Sequence, residues 1–171
     1  MTISMYSMSI PVFTHTLGSL AHFLDKATAL VEAKKLDPDA LLTYRLAPDM
    51  LPLTRQVQIA CDSAKNGVAR ITGVEAPKFD DKEASFEELK QRVQKTIEFL
   101  NAVTQDKFAG SETKEITFPV GREMTKTMAG EAYLKHWAIP NLFFHVTTAY
   151  AILRHNGVEL GKADFLAGGK A

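Results

Sequence analysis

Leu134-Lys-His-Trp-Ala-Ile-Pro-Asn-Leu-Phe-Phe-His-Val-Thr-Thr-Ala-Tyr-Ala-Ile-Leu-Arg-His-Asn-Gly157 is the stretch that decides the fold. Within it Ala138, Leu142, His145, Ala149 and Ile152 recur at spacings of four and three, the period that lines one face of an α-helix. The spacing predicts a helix from near Gly130 or Glu131 to Gly157, with Arg154 and His155 in the last turn, where cations complement the macrodipole. Pro140 lies inside it and is a candidate kink. A helix with one apolar face needs other apolar faces to pack against.

Three such faces precede it. Phe13, Leu17, Leu20, Leu24, Ala27 and Val31 predict a first helix over 10–36, with Pro11 in its first turn and Asp37-Pro38-Asp39 ending it. After a short turn at 38–43, Asp49 is the expected cap of a second helix whose stripe is Leu53, Val57, Cys61, Ala64, Val68 and Ile71, with Gly73 as its stop. Residues 75–84 read as a charged loop, and Ser85-Phe-Glu-Glu88 as a capping box opening a third helix through Phe86, Leu89, Val93, Ile97, Leu100 and Val103. Glu115-Ile-Thr-Phe118 and Glu123-Met-Thr-Lys-Thr127 alternate around Pro119-Val-Gly121, which predicts a small β-hairpin before the last helix. Four long amphipathic helices joined by crossover-length connections predict an all-α chain, a four-helix bundle over 1–171 as a single domain.

Bulk properties narrow the function. Twenty basic and twenty acidic side chains cancel, which removes the electrostatic reason to expect nucleic acid or an anionic membrane as partner. The single cysteine, Cys61, cannot form an intrachain disulfide and suits a reducing compartment, so a cytoplasmic setting is expected. The first ten residues carry no basic signal-peptide flank, and no apolar run approaches the length of a membrane span.

The candidate site residues are few. Asn141 sits one helical turn before His145 on the same side, so both are expected to face the bundle interior or its mouth. Together they suit a polar ligand, or supply two donors to a metal completed by other helices; alternatively His145 is a core histidine bonded to Asn141, Gln56 or water. Tyr150 can present a hydroxyl to the same pocket. His136 lies nine residues before His145, about half a turn away on an ideal helix, and His155 suits a role at the helix end. His15 and His22 fall opposite the stripe of the first helix, toward solvent or a subunit contact. Cys61, with only Lys65 as a basic neighbour at helical spacing, reads as a small core residue. Asp80-Asp81 and Glu87-Glu88 read as solvated or dipole-stabilising charges. No glycine-rich phosphate loop, Cys-x-x-Cys pair or His-Glu-x-x-His motif is present.

Pro140-Asn-Leu-Phe-Phe-His145 through Gly157, with Pro48-Asp-Met-Leu-Pro-Leu-Thr-Arg-Gln-Val-Gln58, Leu24-Asp-Lys-Ala27 and 157–165, resembles a family catalogued as a domain of unknown function within the DinB/YfiT-like superfamily. The resemblance spans nearly the whole chain and implies an up-down-down-up four-helix bundle. It also implies relatives that act as metal-dependent hydrolases or thiol transferases, holding a divalent metal with one histidine on the second helix and two, four apart, on the last. Here His145 matches the second of that pair, but Asn141 stands in the first position and the second helix offers at best Gln56. Carboxamide oxygens are poor ligands for zinc or nickel, so no metal ligand set and no cofactor is assigned. Three readings remain open. The first is a module, a homodimer, that binds a small molecule or another protein, with Gln56, Asn141, His145 and Tyr150 as ligand-binding residues. The second is a divalent-metal-dependent hydrolase or thiol transferase using His145. A third reading treats the bundle as an assembly partner through the outer face of the first helix.

Overall fold

α1 spans Met5–Lys34, and it starts earlier than the apolar stripe alone predicts. Ser4 and Ser7 form a reciprocal capping box there, so Pro11 lies inside the helix rather than in its first turn. The computed structural model describes residues 3–121 and 123–169. A left-handed Lys35 ends α1, and Asp37 caps the short α2, Pro38–Leu42, by accepting a bond from the Asp39 N–H. α3, Leu53–Thr72, begins directly after Pro52, which takes the cap position without a side-chain bond; Asp49 lies upstream of it and does not cap. Gly73, at φ +82°, stops α3 in the left-handed conformation that glycine adopts freely.

α4 spans Phe86–Ala102. Ser85 accepts the Glu88 N–H as expected, while the Glu88 carboxylate reaches one residue further back, to the Ala84 N–H. A short 3-10 turn, Gln105–Phe108, leads to the hairpin of β1, Glu115–Val120, and β2, Met124–Ala129. The strands pair antiparallel with Thr117 opposite Thr127. They are longer than the alternation suggests, since Pro119 pairs inside the ladder and the turn narrows to Gly121 and its neighbours. A lone hairpin has an open edge on each strand, where a proline removes no needed donor.

The last long helix is interrupted. α5, Gly130–Tyr133, passes into a π-helical turn, Leu134–Ala138, and then α6, Ile139–His155. The Ile139 N–H donates to the Leu134 carbonyl five residues back. Pro140 cannot donate to the carbonyl four residues before it, and the chain takes up that break as a widened turn instead of a sharp kink. α7, Lys162–Leu166, closes the chain against α1.

Cross-contacts fix the directions. Tyr6 packs on Phe108, and Lys90 pairs with Asp25 at 2.6 Å, so α1 and α4 are antiparallel. Gln56 meets His145 while Arg70 meets Tyr133, so α3 and α6 are antiparallel as well. Phe23 packs on Tyr150, and Phe13 and Ala138 meet at Gly67, so α1 and α6 run together. This is the up-down-down-up bundle. Phe13, Leu17, Leu20 and Leu24 of α1 share one core with Val57, Ala64 and Val68 of α3, Leu89 and Val93 of α4, and Leu142, Val146 and Ile152 of α6.

Parallel α3 and α4 force a particular connection. A helix of 20 residues is about 30 Å long, and the intervening 73–84 can reach at most about 40 Å when extended. The loop must therefore run back along the bundle as a nearly straight strap, without regular structure of its own. Among the described residues no helix is long and apolar enough to cross a membrane.

Candidate functional site

His145 and Gln56 are brought together across the α3–α6 seam. The His145 Nδ1 lies 2.8 Å from Gln56 Oε1, and the Gln56 Nε2 donates to the Leu51 carbonyl at 2.9 Å. That second bond orients the buried carboxamide so that its oxygen faces the imidazole. Nδ1 must then carry the proton, which leaves the Nε2 lone pair as the free acceptor. Burial pushes the His145 pKa below the ordinary histidine value, so the ring is neutral at pH 7. The Phe144 ring stands edge-on to it at 5.1 Å and is 58% exposed, giving the imidazole an apolar rim.

Asn141 and Tyr150 make their contacts elsewhere. The Asn141 amide donates to the Trp137 carbonyl at 2.9 Å, within its own helix. It borders a cleft of about 120 Å³ on the α3–α6 surface, with Ser63, Asn66, Arg70 and Trp137. Tyr150 packs between Phe23 and Phe165, toward α1 and α7. His136 is exposed, and His155 stacks near Tyr44. His15 and His22 meet the chain's own C-terminal segment: His15 Nε2 bonds the Leu166 carbonyl and His22 Nε2 the Asp164 carboxylate. Hydrogen bonds from Lys26 Nζ, the Gly161 N–H and His22 hold the Asp164 carboxyl well below the usual carboxylate range.

A second polar centre, absent from the sequence reading, lies between α3 and α4. The Arg92 side chain is 1% exposed and pairs with Asp62 at 2.8 Å, Asp81 at 2.7 Å and Glu83 at 2.9 Å. The Phe79 ring covers the guanidinium at 4.6 Å, and Arg55 holds Asp81 from the other side at 2.9 Å. Asp81 is thus an anchor of the strap rather than a solvated charge. Partial burial pushes the Asp81 and Glu83 carboxyls up, but their hydrogen bonds outweigh it, Arg55 and Arg92 on Asp81 and Arg92 first on Glu83, and hold both below the usual range. Burial alone would lower the Arg92 pKa, yet Glu83 and Asp81 raise it above the ordinary value. Cys61 lies beside this cluster, fully buried, and burial pushes its thiol up to about 12. A thiol held protonated is a core group, not a nucleophile. The spacing of Arg92 and Thr96, four apart and both buried, is the one signal in the sequence that a polar contact was built into this face of α4.

The donor set does not fit a three-histidine metal centre. His145 is the one imidazole at the seam, its Nδ1 is taken by Gln56, and Asn141 supplies only a carboxamide. Among the described residues no group of three or more His, Cys, Asp or Glu side chains is placed to hold a metal ion.

A crystal structure of a DinB family member protein from Shewanella denitrificans is similar at 47% identity, covering 94% of this chain and 90% of that one, with a TM-score of 0.88. No curated protein matches the chain. The family model described as a domain of unknown function, DUF1993, matches residues 5–166 and so nearly every element described above, and the chain belongs to that family.

Proposed function

We propose that this bundle is a binding module whose ligand site lies along the α3–α6 seam, with Gln56, Asn141 and His145 as binding residues and Tyr150 supporting α6 from behind. The observation that carries the reading is the Gln56 tether, which spends one imidazole nitrogen inside the protein and leaves a single neutral acceptor, Nε2, beside an apolar rim. One acceptor suits hydrogen bonding to a ligand. It does not hold a transition metal, which needs three or four strong donors. The proposal includes self-association, supported by Phe143 and Phe144, which stand 38% and 58% exposed on α6. It also includes a reducing, cytoplasmic setting, which suits the free thiol of Cys61.

Elemental analysis of the purified protein, after incubation with equimolar zinc and nickel and desalting, tests the reading. Retention of less than a tenth of an equivalent is expected for a lone imidazole. About one tightly held ion per chain, lost on His145→Ala, would overturn it in favour of a metal-dependent enzyme.

A further inference from the structure

Arg70 is a held cation that pairs with no carboxylate among the described residues. Its NH1 donates to the Tyr133 hydroxyl at 3.1 Å, and its guanidinium lies 5.7 Å over the Phe118 ring. Both partners are neutral, and among the described residues no carboxylate pairs with it. Arg92, on the neighbouring helix, has three carboxylates. A half-buried guanidinium oriented by neutral groups keeps its charge available to an anion that enters beside it.

The surroundings of Arg70 form a built cleft of about 120 Å³. Ser63, Asn66 and Arg70 rise from α3 at helical spacings of three and four, and Trp137 and Asn141 face them from the π turn and α6. Asn141 is pinned through its Nδ2 on the Trp137 carbonyl, so its Oδ1 is the atom free to accept. Trp137 is in turn fixed by Phe118 at 4.8 Å. Asp62, at the far end, has Oδ1 engaged by Arg92 and Lys65. A volume of this size holds only a few heavy atoms, well below the roughly 300 Å³ of a drug-sized pocket.

We infer that this cleft binds a small monocarboxylate carrying a hydroxyl or amino group, its carboxylate on Arg70 and its second polar group on Asn141. The inference rests on the seam reading proposed above and names its ligand class. The planar, forked guanidinium matches a carboxylate with two parallel bonds. The carboxamide and Ser63 hydroxyl supply the acceptor and donor that a purely apolar acid would leave unpaired.

Trp137 is the only tryptophan of the chain, so its indole N–H resonance and its fluorescence are unambiguously assigned and report on the cleft it lines. The probes are glycolate, its neutral isostere glycolamide, acetate and inorganic phosphate, titrated against uniformly 15N-labelled protein. Glycolate should move the Trp137 resonance saturably. Glycolamide, acetate, phosphate and the Arg70→Gln variant with glycolate should each bind about tenfold more weakly or worse, as expected for loss of a charge-assisted or paired hydrogen bond. Asn141→Ala, which leaves Arg70 and its Tyr133 contact intact, should lose the preference for glycolate over acetate and so separates recognition from any folding defect of the Arg70 variant. No saturable shift with glycolate, or equal binding of glycolamide, would overturn the inference, as would preference for phosphate. Shifts at the His145 imidazole with Trp137 unmoved would also overturn this cleft while leaving the seam reading standing; a stoichiometric metal on His145 would overturn the seam reading instead.

Discussion

Replacing Arg92 by methionine should destabilise the protein by about 3 kcal/mol at pH 7. Breaking a buried ion pair by removing one partner costs about 3–5 kcal/mol, because the other charge is left behind. The lower end applies here, since Asp62, Asp81 and Glu83 keep 32%, 36% and 14% of their side-chain surface and can rehydrate. Methionine also fills much of the space beneath Phe79, so little of the loss is cavity. In a domain of this size about 3 kcal/mol corresponds to roughly 6–12 °C in melting temperature. The sign of the pH dependence is more diagnostic than the size. In the wild-type protein Asp81 and Glu83 have depressed pKa values, so their contribution is present above the ordinary carboxylate range and is lost as pH falls through their folded values. In Arg92→Met Glu83 loses its cation and Asp81 keeps only Arg55, while the carboxylates crowd one another, so acid relieves repulsion. Urea denaturation at pH 7 and near pH 3.5 should therefore show the gap between the two proteins closing in acid. A difference below about 1 kcal/mol at pH 7, or one that is unchanged in acid, would refute the account of Arg92 as the anchor of the strap.

Four other outcomes follow from the same geometry. Gly18→Ala would place a Cβ 2.4 Å from the Gly168 carbonyl oxygen, so the C-terminal segment should undock, losing the three bonds made by His15 and Ser19 at about 1 kcal/mol each against about 1 kcal/mol gained in helix propensity; hydrogen exchange in 164–169 should rise sharply while the melting temperature falls by roughly 4–8 °C, and unchanged exchange would count against it. Leu142→Ala removes a fully buried side chain at the α6 core face and should cost about 2–5 kcal/mol in urea denaturation. Gln56→Leu should shift the His145 proton from Nδ1 toward Nε2, read from imidazole 15N chemical shifts, and wild-type protein already in the Nε2–H form would contradict the tether. Because burial depresses the folded His145 pKa, the folded state binds fewer protons than the unfolded one, so stability should decline as pH drops below the ordinary histidine value, and His145→Gln should flatten that decline.

The bundle was legible because the apolar stripes are nearly unbroken. Phe13, Leu17, Leu20 and Leu24 of α1, and Leu89, Val93 and Leu100 of α4, are all buried where a 3.6-residue period puts them. Helix starts were less legible, because they depend on which polar side chain wins a local contest. Ser4 and Ser7 extend α1 by a turn and more, while Asp49 loses the cap of α3 to Pro52. The π turn was hidden because periodicity alone cannot show that the break at Pro140 is spread over the preceding turn. At the site, the Gln56–His145 contact followed from both residues facing inward on neighbouring helices. Arg70 did not stand out, although Ser63, Asn66 and Arg70 form a polar row at spacings of three and four. Such a row reads as solvent face until the partner helix shows that it lines a cleft.

Two arginines from neighbouring helices show how the same residue type takes opposite roles. Arg92 is surrounded by carboxylates because the chain needs it there: parallel α3 and α4 require a long extended return, and an extended segment without its own hydrogen-bond ladder has to be fastened by side chains. The carboxylates come from the strap and from α3, so the charge of the guanidinium is neutralised by folding alone through its two terminal nitrogens, although its buried Nε–H has no partner. Arg70 is held more lightly, by a phenol and an aromatic face, neither of which cancels its charge. Folding therefore orients it without neutralising it. The two arginines differ in burial, Arg92 being buried and Arg70 half-buried, and they differ in charge balance. Under the proposal that the cleft binds a monocarboxylate, the electrostatic attraction on this seam would come from Arg70 rather than from a bound ion, and it would select an anion.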